Sequence, residues 1–492
     1  MVEPWITEEM ETLNLEDRRL DKRLTEVLSQ LSGHPTASIP TACSGYAEMA
    51  AAYRLFDNEK VHFDNVLRPH REATRRRLAQ QSVVVLPQDT TEIELTRPEQ
   101  QVVGTGPLDN GPRRGVFLHV LYAFTPDGTP LGMVHGDVWA RPNTPPPKKS
   151  LRHLRRKNTP IEDKESYRWV EGFGHAREEA QRTPETHFLT LTDSEGDIYE
   201  LLAQSQNRPT NLDWIVRACQ DRAVTGQDVE KVPSPGRGVT AASVRRQILK
   251  APVLFTQSIQ VRGRRSKVAC EERGRRQPRR SRTAELEVRA ARVTLRPPSR
   301  PDRTLPEVTV NVVWAREIHP PADDVPVEWV LLTSLPVDTI EQVGRVIEYY
   351  RVRWMIEIVF RTLKSGCRIE QRRFEHVGRF LPCLAVYLIV TWRTLYVCRL
   401  ARAFPEASCQ LLFEPSEWKS VYRVVRRQPP PEAPPPLSEM AEMVAQLGGY
   451  VHRKRADKPG PQTIWLGLQR VHDFALCWQL FGPDARMEPE DV

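Results

Sequence analysis

The stretch Tyr350-Arg-Val-Arg-Trp-Met-Ile-Glu-Ile-Val-Phe-Arg-Thr-Leu-Lys364 carries more information about the fold than any other part of the chain. It places a tyrosine, an arginine, a glutamate and a lysine at offsets of 0, 3, 7 and 14 residues: Tyr350, Arg353, Glu357 and Lys364. In one continuous α-helix these side chains lie within about 60° of one another. The opposite face carries the apolar stripe of a core-facing helix: Val352, Met355, Ile356, Val359 and Leu363. The stretch predicts one helix that presents a carboxylate among cations, although a solvated salt bridge fits the same residues.

Two aspartates are predicted to stand directly beyond buried strands. Asp89 follows the apolar run 82–86, and Asp193 follows the strand-like run 187–192. Side chains at strand ends of an α/β sheet converge on a ligand crevice. The alternatives are a turn-starting role for Asp89 and a helix N-cap for Asp193. Together with Glu357 these carboxylates can hold two divalent cations about 3.5–4 Å apart, and an all-oxygen ligand set favours Mg²⁺ or Mn²⁺.

Changes of pattern along the chain predict three parts. Residues 1–77 are helical, residues 78–405 alternate between strands and helices with a β-rich insertion at about 225–320, and residues 406–492 are again helical. The alternation predicts an α/β fold with a mixed sheet and helices on its faces. The strands of the central part are predicted at 82–86, 115–124, 131–138, 187–192, 214–217, 253–261, 284–295, 308–314 and 328–334.

Positive charge is clustered rather than abundant. Lys and Arg number 71 against 63 acidic residues, a net charge of +8. Two dense runs, 148–157 and 262–282, supply much of the local excess. Such runs without an accompanying apolar stripe favour a polyanion, nucleic acid before membrane, as the partner. A flexible solvated loop is the alternative for either run.

The remaining composition indicates a reduced, cytoplasmic protein. No apolar run reaches the ~18 residues of a membrane span, and the longest, 381–392, is predicted to be a buried helix. The acidic N-terminus lacks the pattern of a signal peptide. The 8 cysteines include no Cys-x-x-Cys pair, which argues against a zinc site and against a secreted disulfide framework.

The order of these motifs resembles that of the DDE transposases of the insertion-sequence-four family. The motifs are Asp-Thr-Thr at 89–91, Asp-x-Glu-x-Asp at 193–197, and Tyr-x2-Arg-x3-Glu-x6-Lys at 350–364. Further similarity covers most of the chain. It includes segments like the family's DNA-end-binding domain, the region between its first two aspartates, the strand before the signature helix, and its dimerisation helices: 15–24, 52–56, 132–142, 164–166, 317–321, 329–334, 447–449 and 464–467.

The resemblance implies a ribonuclease H-like core interrupted by the β-rich insertion. It implies three catalytic, metal-binding carboxylates with two Mg²⁺ ions, for which Mn²⁺ substitutes: Asp89, Asp193 and Glu357. It implies that three further residues hold the DNA backbone beside a displaced base: Tyr350, Arg353 and Lys364. Trp329 matches the aromatic residue that receives this base, although a core tryptophan on a buried strand is the alternative.

The expected function is that of a cut-and-paste transposase in the bacterial cytoplasm, associated with the nucleoid. It would bind double-stranded transposon ends as a homodimer, cleave them through a hairpin, and join the 3′ ends to target DNA. A catalytically silent DNA-binding relative or transposition inhibitor, and a simple metal-dependent nuclease, are the alternatives. The sequence departs from the family pattern in the tandem Tyr349-Tyr350, in Gly196, which is expected to be harmless, and in the Pro-rich linker 429–436.

Overall fold

The computed structural model describes residues 3–483, except 44, 98, 145–157, 226–231, 235–236, 241–242, 262–279, 323 and 452–457. The basic run 148–157 and nearly all of the run 262–282 therefore lie outside the described residues, and their predicted contact with a polyanion stays a prediction. Of the second run, Arg282 is described, and it pairs with Glu317 at 2.9 Å. The chain divides into a first unit of residues 1–84, 90–145 and 354–492, and a second unit of residues 85–89 and 146–353.

Helices dominate both ends of the chain. Their bounds, in chain order, are α1 Pro4–Glu9, α2 Arg18–Gly33, α3 Ile39–Ala42, α4 Tyr46–Phe56, α5 Phe63–Leu78, α6 Tyr167–Arg182, α7 Tyr199–Gln204, α8 Val244–Lys250, α9 Ile340–Val352, α10 Trp354–Arg361, α11 Val377–Ala403, α12 Pro415–Arg426, α13 Leu437–Leu447 and α14 Pro461–Phe481.

Strands occupy the middle of the chain. Their bounds are β1 Val83–Glu94, β2 Gly106–Pro107, β3 Arg114–Phe124, β4 Pro130–Trp139, β5 His187–Thr192, β6 Leu212–Arg217, β7 Val224–Thr225, β8 Val232–Ser234, β9 Arg237–Thr240, β10 Phe255–Val261, β11 Arg282–Leu295, β12 Val308–Glu317 and β13 Glu328–Thr333.

The second unit contains a mixed sheet. Its strand order is β10-β11-β12-β13-β6-β5, followed by residues 85–89 of β1. The pair β5 and β6 is parallel, whereas β10 to β13 and the pair β13 and β6 are antiparallel. The mixed sheet with helices confirms the prediction of an α/β fold. The strands expected in the β-rich segment, β10 to β12, continue this sheet.

The first unit combines a small antiparallel sheet with helices. Strand β3 pairs with β1, β2 and β4, and the predicted hairpin of β3 and β4 is confirmed. Helix α11 is the one described helix that is long and apolar enough to cross a membrane, judged by length and composition alone. Of its most apolar window, 83% is buried inside the protein, which is how a core helix packs. Helices α11 to α14 share one apolar core around Trp418 and Val444.

Strand β1 continues well beyond the predicted end at residue 86. It runs from Val83 to Glu94, so the expectation that Asp89 lies beyond the strand is wrong. The apolar run ends at residue 86, and Pro87 has no N–H to donate to a neighbouring strand. The β-branched residues Thr90, Thr91 and Ile93, and strand partners on both sides, keep the backbone extended, because sheet context overrides local propensity. Asp89 is therefore a mid-strand residue.

The predicted helix 350–364 is not continuous. Helix α9 ends at Val352, and the N–H of Arg353 bonds to the carbonyl of Tyr350 at 3.1 Å, three residues back. Helix α10 then ends at Arg361, and residues Thr362–Gly366 form a π-helix. The apolar stripe is buried as predicted. Amphipathic spacing cannot reveal a change in the backbone hydrogen-bond pattern. The prediction that the four polar residues share one face assumed a continuous α-helix, so it no longer holds as stated.

Candidate active site

Asp193 stands where the sequence placed it, at the first position after β5. Its carboxylate accepts a hydrogen bond from the N–H of Glu195 at 2.8 Å and caps the 3₁₀ turn Ser194–Gly196. Asp193 follows a buried strand, as predicted, and it caps a 3₁₀ turn rather than the helix of the alternative interpretation. Its role as a metal ligand stays a prediction. The side chain is half-buried, which leaves carboxylate surface for a ligand.

The turn after Asp193 is closely packed at Gly196. A Cβ atom at this position would lie 2.4 Å from Thr192 Cβ and 2.8 Å from Trp169 Cδ1. Both distances are shorter than any ordinary carbon–carbon contact, so only glycine fits without movement of its neighbours. Gly196 is thus required by packing, and it lets the Asp193 turn close against the end of β5.

Asp89 pairs with Arg353 inside the second unit. The guanidinium Nη1 lies 3.3 Å from Asp89 Oδ2, and each residue is only 9% exposed. Arg353 ends helix α9 by the turn that breaks the predicted helix. A buried charge needs a partner of opposite sign, so the pair accounts for the burial of both side chains. Arg353, one of the two cations of the motif, therefore contacts one of the predicted catalytic carboxylates.

Tyr350 lies near both aspartate motifs. It is 5% exposed, and its hydroxyl is buried. Burial raises the pKa of the hydroxyl to about 12, against the opposing charges of Arg353 and Arg217, while the negative charge of Asp193 adds to the increase. The Tyr350 hydroxyl is therefore neutral and retains its proton at physiological pH.

Trp329 lies beside Tyr350. It is half-buried on β13, where its backbone pairs with Ala315. Its ring centroid is 5.9 Å from that of Tyr350, at an interplanar angle of 68°, an edge-to-face contact of the kind aromatic pairs prefer. The second unit thus gathers five of the seven predicted site residues: Asp89, Asp193, Trp329, Tyr350 and Arg353.

Glu357 and Lys364 belong to the first unit. Glu357 is half-buried on α10, and Lys364 lies in the π-helix. The Lys364 ammonium is 3.8 Å from Glu370 Oε1, and the same carboxylate oxygen accepts the N–H of Glu94 at 3.0 Å. π-Helical turns occur often at functional sites, which fits the predicted role of this segment.

The sequence did not reveal two charged residues of the second unit. Arg217 ends β6, and its charge acts on the Tyr350 hydroxyl; a cation at the end of a predicted buried strand was the available signal. Asp197, the last residue of the Asp-x-Glu-x-Asp motif, is buried against Arg222 at 2.6 Å. It also accepts the N–H groups of Cys219 and Gln220. Asp197 is therefore a structural carboxylate.

An arginine-rich cleft of about 730 Å³ opens in the first unit. Arg54 and Arg97 line it together with Arg373 and Arg379, and Phe374 contributes an aromatic wall that packs edge-to-face on Tyr53 at 6.0 Å. Asp57, Glu99 and Glu375 also line the cleft, and Arg379 pairs with Asp57, so part of its positive charge is neutralised. The guanidinium groups and the aromatic wall are side chains of the kind that bind nucleic acid. Tyr53 and Arg54 lie in the segment 52–56, which resembles the family's DNA-end-binding domain. Sequence reasoning did not single out Arg97, Arg373 or Arg379, because they come from other segments.

Carboxylate oxygens at Asp89, Asp193 and Glu357 are the donor type that Mg²⁺ and Mn²⁺ prefer. Within the described parts of the chain, no group of three or more His, Cys, Asp or Glu side chains is gathered closely enough to hold a metal ion. In the second unit Asp193 is half-buried, and Asp89 is mostly buried beside Arg353. The carboxylate oxygens of both aspartates are donors that fit a divalent metal. The predicted metal site stays a prediction.

Comparison with known proteins identifies three domains. A transposase DNA-binding model matches residues 2–61, a transposase DDE domain model matches residues 186–380, and a transposase Tn5 dimerisation domain model matches residues 389–479. Asp193 and Glu357 lie inside the DDE match, whereas Asp89 precedes it. The chain therefore matches transposase models for DNA binding, for the DDE domain and for dimerisation, which together support a DDE transposase.

One solved structure is similar over much of the chain. The cryo-EM structure of the piggyBac transposase synaptic complex with hairpin DNA matches 79% of this chain and 67% of its own chain, at 11% identity and a TM-score of 0.34. A likeness this small supports no conclusion about the details of the fold.

Proposed function

We propose that this DDE transposase acts by cut-and-paste transposition. It binds the inverted repeats at transposon ends as a homodimer, hydrolyses one strand, and uses the new 3′-hydroxyl to form a hairpin. It then opens the hairpin and joins the 3′ ends to target DNA. The observation that carries the proposal is the gathering of Asp89, Asp193, Arg353, Tyr350 and Trp329 in one unit of a chain that also has DNA-binding and dimerisation domains.

Asp89, Asp193 and Glu357 would hold two Mg²⁺ ions, with Mn²⁺ as a substitute. When bound, such ions activate the attacking oxygen and stabilise the leaving oxygen of an in-line displacement at phosphorus. The chain supplies the ligands and excludes water, since Asp89 is mostly buried and Asp193 half-buried. Every step of the proposed pathway is an attack on phosphate, so one site can serve them all.

Three residues of the second unit have side chains suited to DNA held beside that site. Arg353 can bind a phosphate through its planar guanidinium, and Tyr350 keeps a proton to donate because its pKa is about 12. Displacing a base costs a few kcal/mol and requires a stacking surface. Trp329, half-buried beside Tyr350, would offer that surface. Lys364 in the first unit would bind a neighbouring phosphate.

The finer assignments form part of the same proposal. The mixed sheet of the second unit would be a ribonuclease H-like core carrying a β-rich insertion, within the insertion-sequence-four family. The three-part division at 77 and 405 would separate end binding, catalysis and dimerisation. The arginine-rich cleft would lie along the DNA backbone. The protein would act in the cytoplasm at the nucleoid.

The variant Asp193→Asn tests the catalytic assignment, and Glu195→Gln is its control. Both variants remove one negative charge from the same turn, but Glu195 is exposed. We expect Asp193→Asn to bind end-bearing duplex DNA as the wild type does, and to lose Mg²⁺-dependent cleavage by roughly 10³-fold, or about 4 kcal/mol of transition-state stabilisation. Glu195→Gln should cleave normally.

Persistent cleavage by Asp193→Asn, or by Glu357→Gln, would contradict the assignment. A wild-type protein that binds ends and never cleaves them would instead be a silent relative of the transposases. Cleavage without joining of 3′ ends to a target plasmid would indicate a nuclease.

A further inference from the structure

One carboxylate of the first unit connects two segments that carry predicted site residues. Glu370 Oε1 accepts the backbone N–H of Glu94 at 3.0 Å and lies 3.8 Å from the Lys364 ammonium. Glu94 is the last residue of β1, the strand that contains Asp89. Lys364 lies in the π-helix that directly follows α10, which contains Glu357. Glu370 therefore links the end of β1 to the π-helix Thr362–Gly366.

The backbone around Glu370 is irregular and is held by specific contacts. Arg368 has φ 48° and ψ 42°, a left-handed conformation that few residues other than glycine adopt. A 3₁₀ turn follows at Ile369–Gln371. The Arg97 guanidinium donates to the carbonyls of Glu370 and Arg372 at 3.1 and 2.9 Å. Backbone held in rare conformations is concentrated at sites where geometry matters for function.

Stability alone does not account for the Glu370–Lys364 pair. Their side chains are 32% and 28% exposed, and a partly exposed ion pair contributes little to folding. The pair affects instead where the Lys364 ammonium points, because a lysine ammonium sits at the end of a flexible chain of four carbons. A carboxylate fixed by a backbone N–H and 3.8 Å from that ammonium favours positions of the ammonium near it before any DNA phosphate arrives.

We propose that Glu370 is a positioning residue for DNA cleavage. It acts through Lys364, whose ammonium it favours in a position ready for a phosphate oxygen, and its own carboxylate is fixed by the Glu94 N–H at the end of β1. No contact of Glu370 itself with the reacting atoms is required. This inference rests on the proposed function, since it assumes that Lys364 binds DNA during cleavage.

Glu370→Gln tests the proposal, because glutamine keeps the length and the acceptor for the Glu94 N–H but removes the charge facing Lys364. Glu92→Gln is the matched control. Glu92 lies on β1, as Glu94 does. Its carboxylate accepts a backbone N–H from Asp109 at 2.8 Å and pairs with Arg113 at 2.6 Å, and its side chain is 22% exposed. The assay is single-turnover cleavage of end-bearing duplex DNA with Mg²⁺, under excess protein, with rate constant and amplitude measured separately.

We expect Glu370→Gln to lower the rate constant by about tenfold at unchanged amplitude, since misplacement of a contact by ~1 Å costs up to 10²-fold. Glu92→Gln should stay within about twofold of the wild type. In a Lys364→Ala background, Glu370→Gln should have no further effect, because the residue through which it acts is gone. A loss of amplitude alone would indicate a structural role and overturn the proposal.

Three other results decide the question. An unchanged rate for Glu370→Gln in a protein whose wild type cleaves overturns the positioning role and leaves the proposed function standing. Additive effects of Glu370→Gln and Lys364→Ala overturn it as well. If Glu370→Gln unfolds, Glu370→Asp keeps the charge facing Lys364, and a rate below that of Lys364→Ala would overturn the proposal. A wild type that never cleaves overturns both proposals together.

Discussion

Replacing Gly196 by alanine tests whether packing closes the turn that carries Asp193. The added Cβ would meet Thr192 Cβ at 2.4 Å, Thr192 Oγ1 at 2.5 Å and Trp169 Cδ1 at 2.8 Å. None of these atoms is at the free end of a flexible side chain, because Thr192 ends β5 and Trp169 is 4% exposed on α6. The turn itself must therefore shift.

Overpacking of a well-packed site costs about 1–3 kcal/mol. In a unit of 150–250 residues each kcal/mol lowers the melting temperature by about 2–4 °C. We expect Gly196→Ala to melt roughly 2–12 °C below the wild type. Because Asp193 caps the same turn, its carboxylate should also move, and cleavage measured well below the melting temperature should fall by ~10-fold or more.

The control is Gly174→Ala on helix α6. A Cβ at Gly174 meets no described heavy atom within 4 Å, and alanine is favoured over glycine inside a helix by about 0.5–1 kcal/mol. This variant should melt slightly above the wild type and cleave normally. Thermal unfolding followed by circular dichroism, with cleavage assayed on the same preparations, measures both quantities. A Gly196→Ala protein as stable and as active as the wild type would refute the packing argument.

Three further predictions concern pH, stacking and metal. Burial, together with the negative charge of Glu3, raises the pKa of Glu417 to about 7 from 4.5. The stability that the protonated Glu417 carboxyl contributes is therefore fully present below about pH 4.5 and is lost as the pH rises through 7. The free energy of unfolding of Glu417→Gln relative to the wild type should therefore increase between about pH 5 and pH 8, by at most ~3 kcal/mol. The same difference at both pH values would contradict the burial argument. Trp329→Ala should slow hairpin formation by the equivalent of ~1–3 kcal/mol, with Trp329→Phe intermediate and end binding unchanged in a gel-shift assay. Chelation of divalent metal should stop cleavage and leave end binding intact, and Mn²⁺ should restore cleavage; cleavage that persists after chelation would argue against the carboxylate site.

Local patterns in the sequence predicted most strands and the position of Asp193. An apolar run followed by Asp, Ser and Gly signals a buried strand and the turn after it, and both the strand and its end at Thr192 were as expected. The α/β class followed from the same alternation. Trp329 and Tyr350 were chosen by resemblance, and the structure places their rings in contact.

Features that depend on distant residues escaped the sequence. Asp89 lies inside a strand because β1 has partners on both sides, which overrides the turn-like Pro87. The break at Arg353 accompanies its pairing with a residue 264 positions away. Glu370 gave no signal, because its partner in β1 is 276 residues away. Such contacts have no periodicity that a sequence can display.

Because Asp89 lies inside β1, the face of the sheet to which its side chain points depends on whether the number of residues before it in the strand is odd or even. Successive side chains of a strand point to opposite faces, so one residue inserted or deleted between Val83 and Asp89 would send the carboxylate to the other side of the sheet. Asp193, on a turn after its strand, would be displaced by such a change but not inverted. The two aspartates therefore differ in how they tolerate insertions. We therefore expect single-residue insertions after β5 to be better tolerated than single-residue insertions in the first half of β1, where only an even change of length keeps Asp89 on the same face.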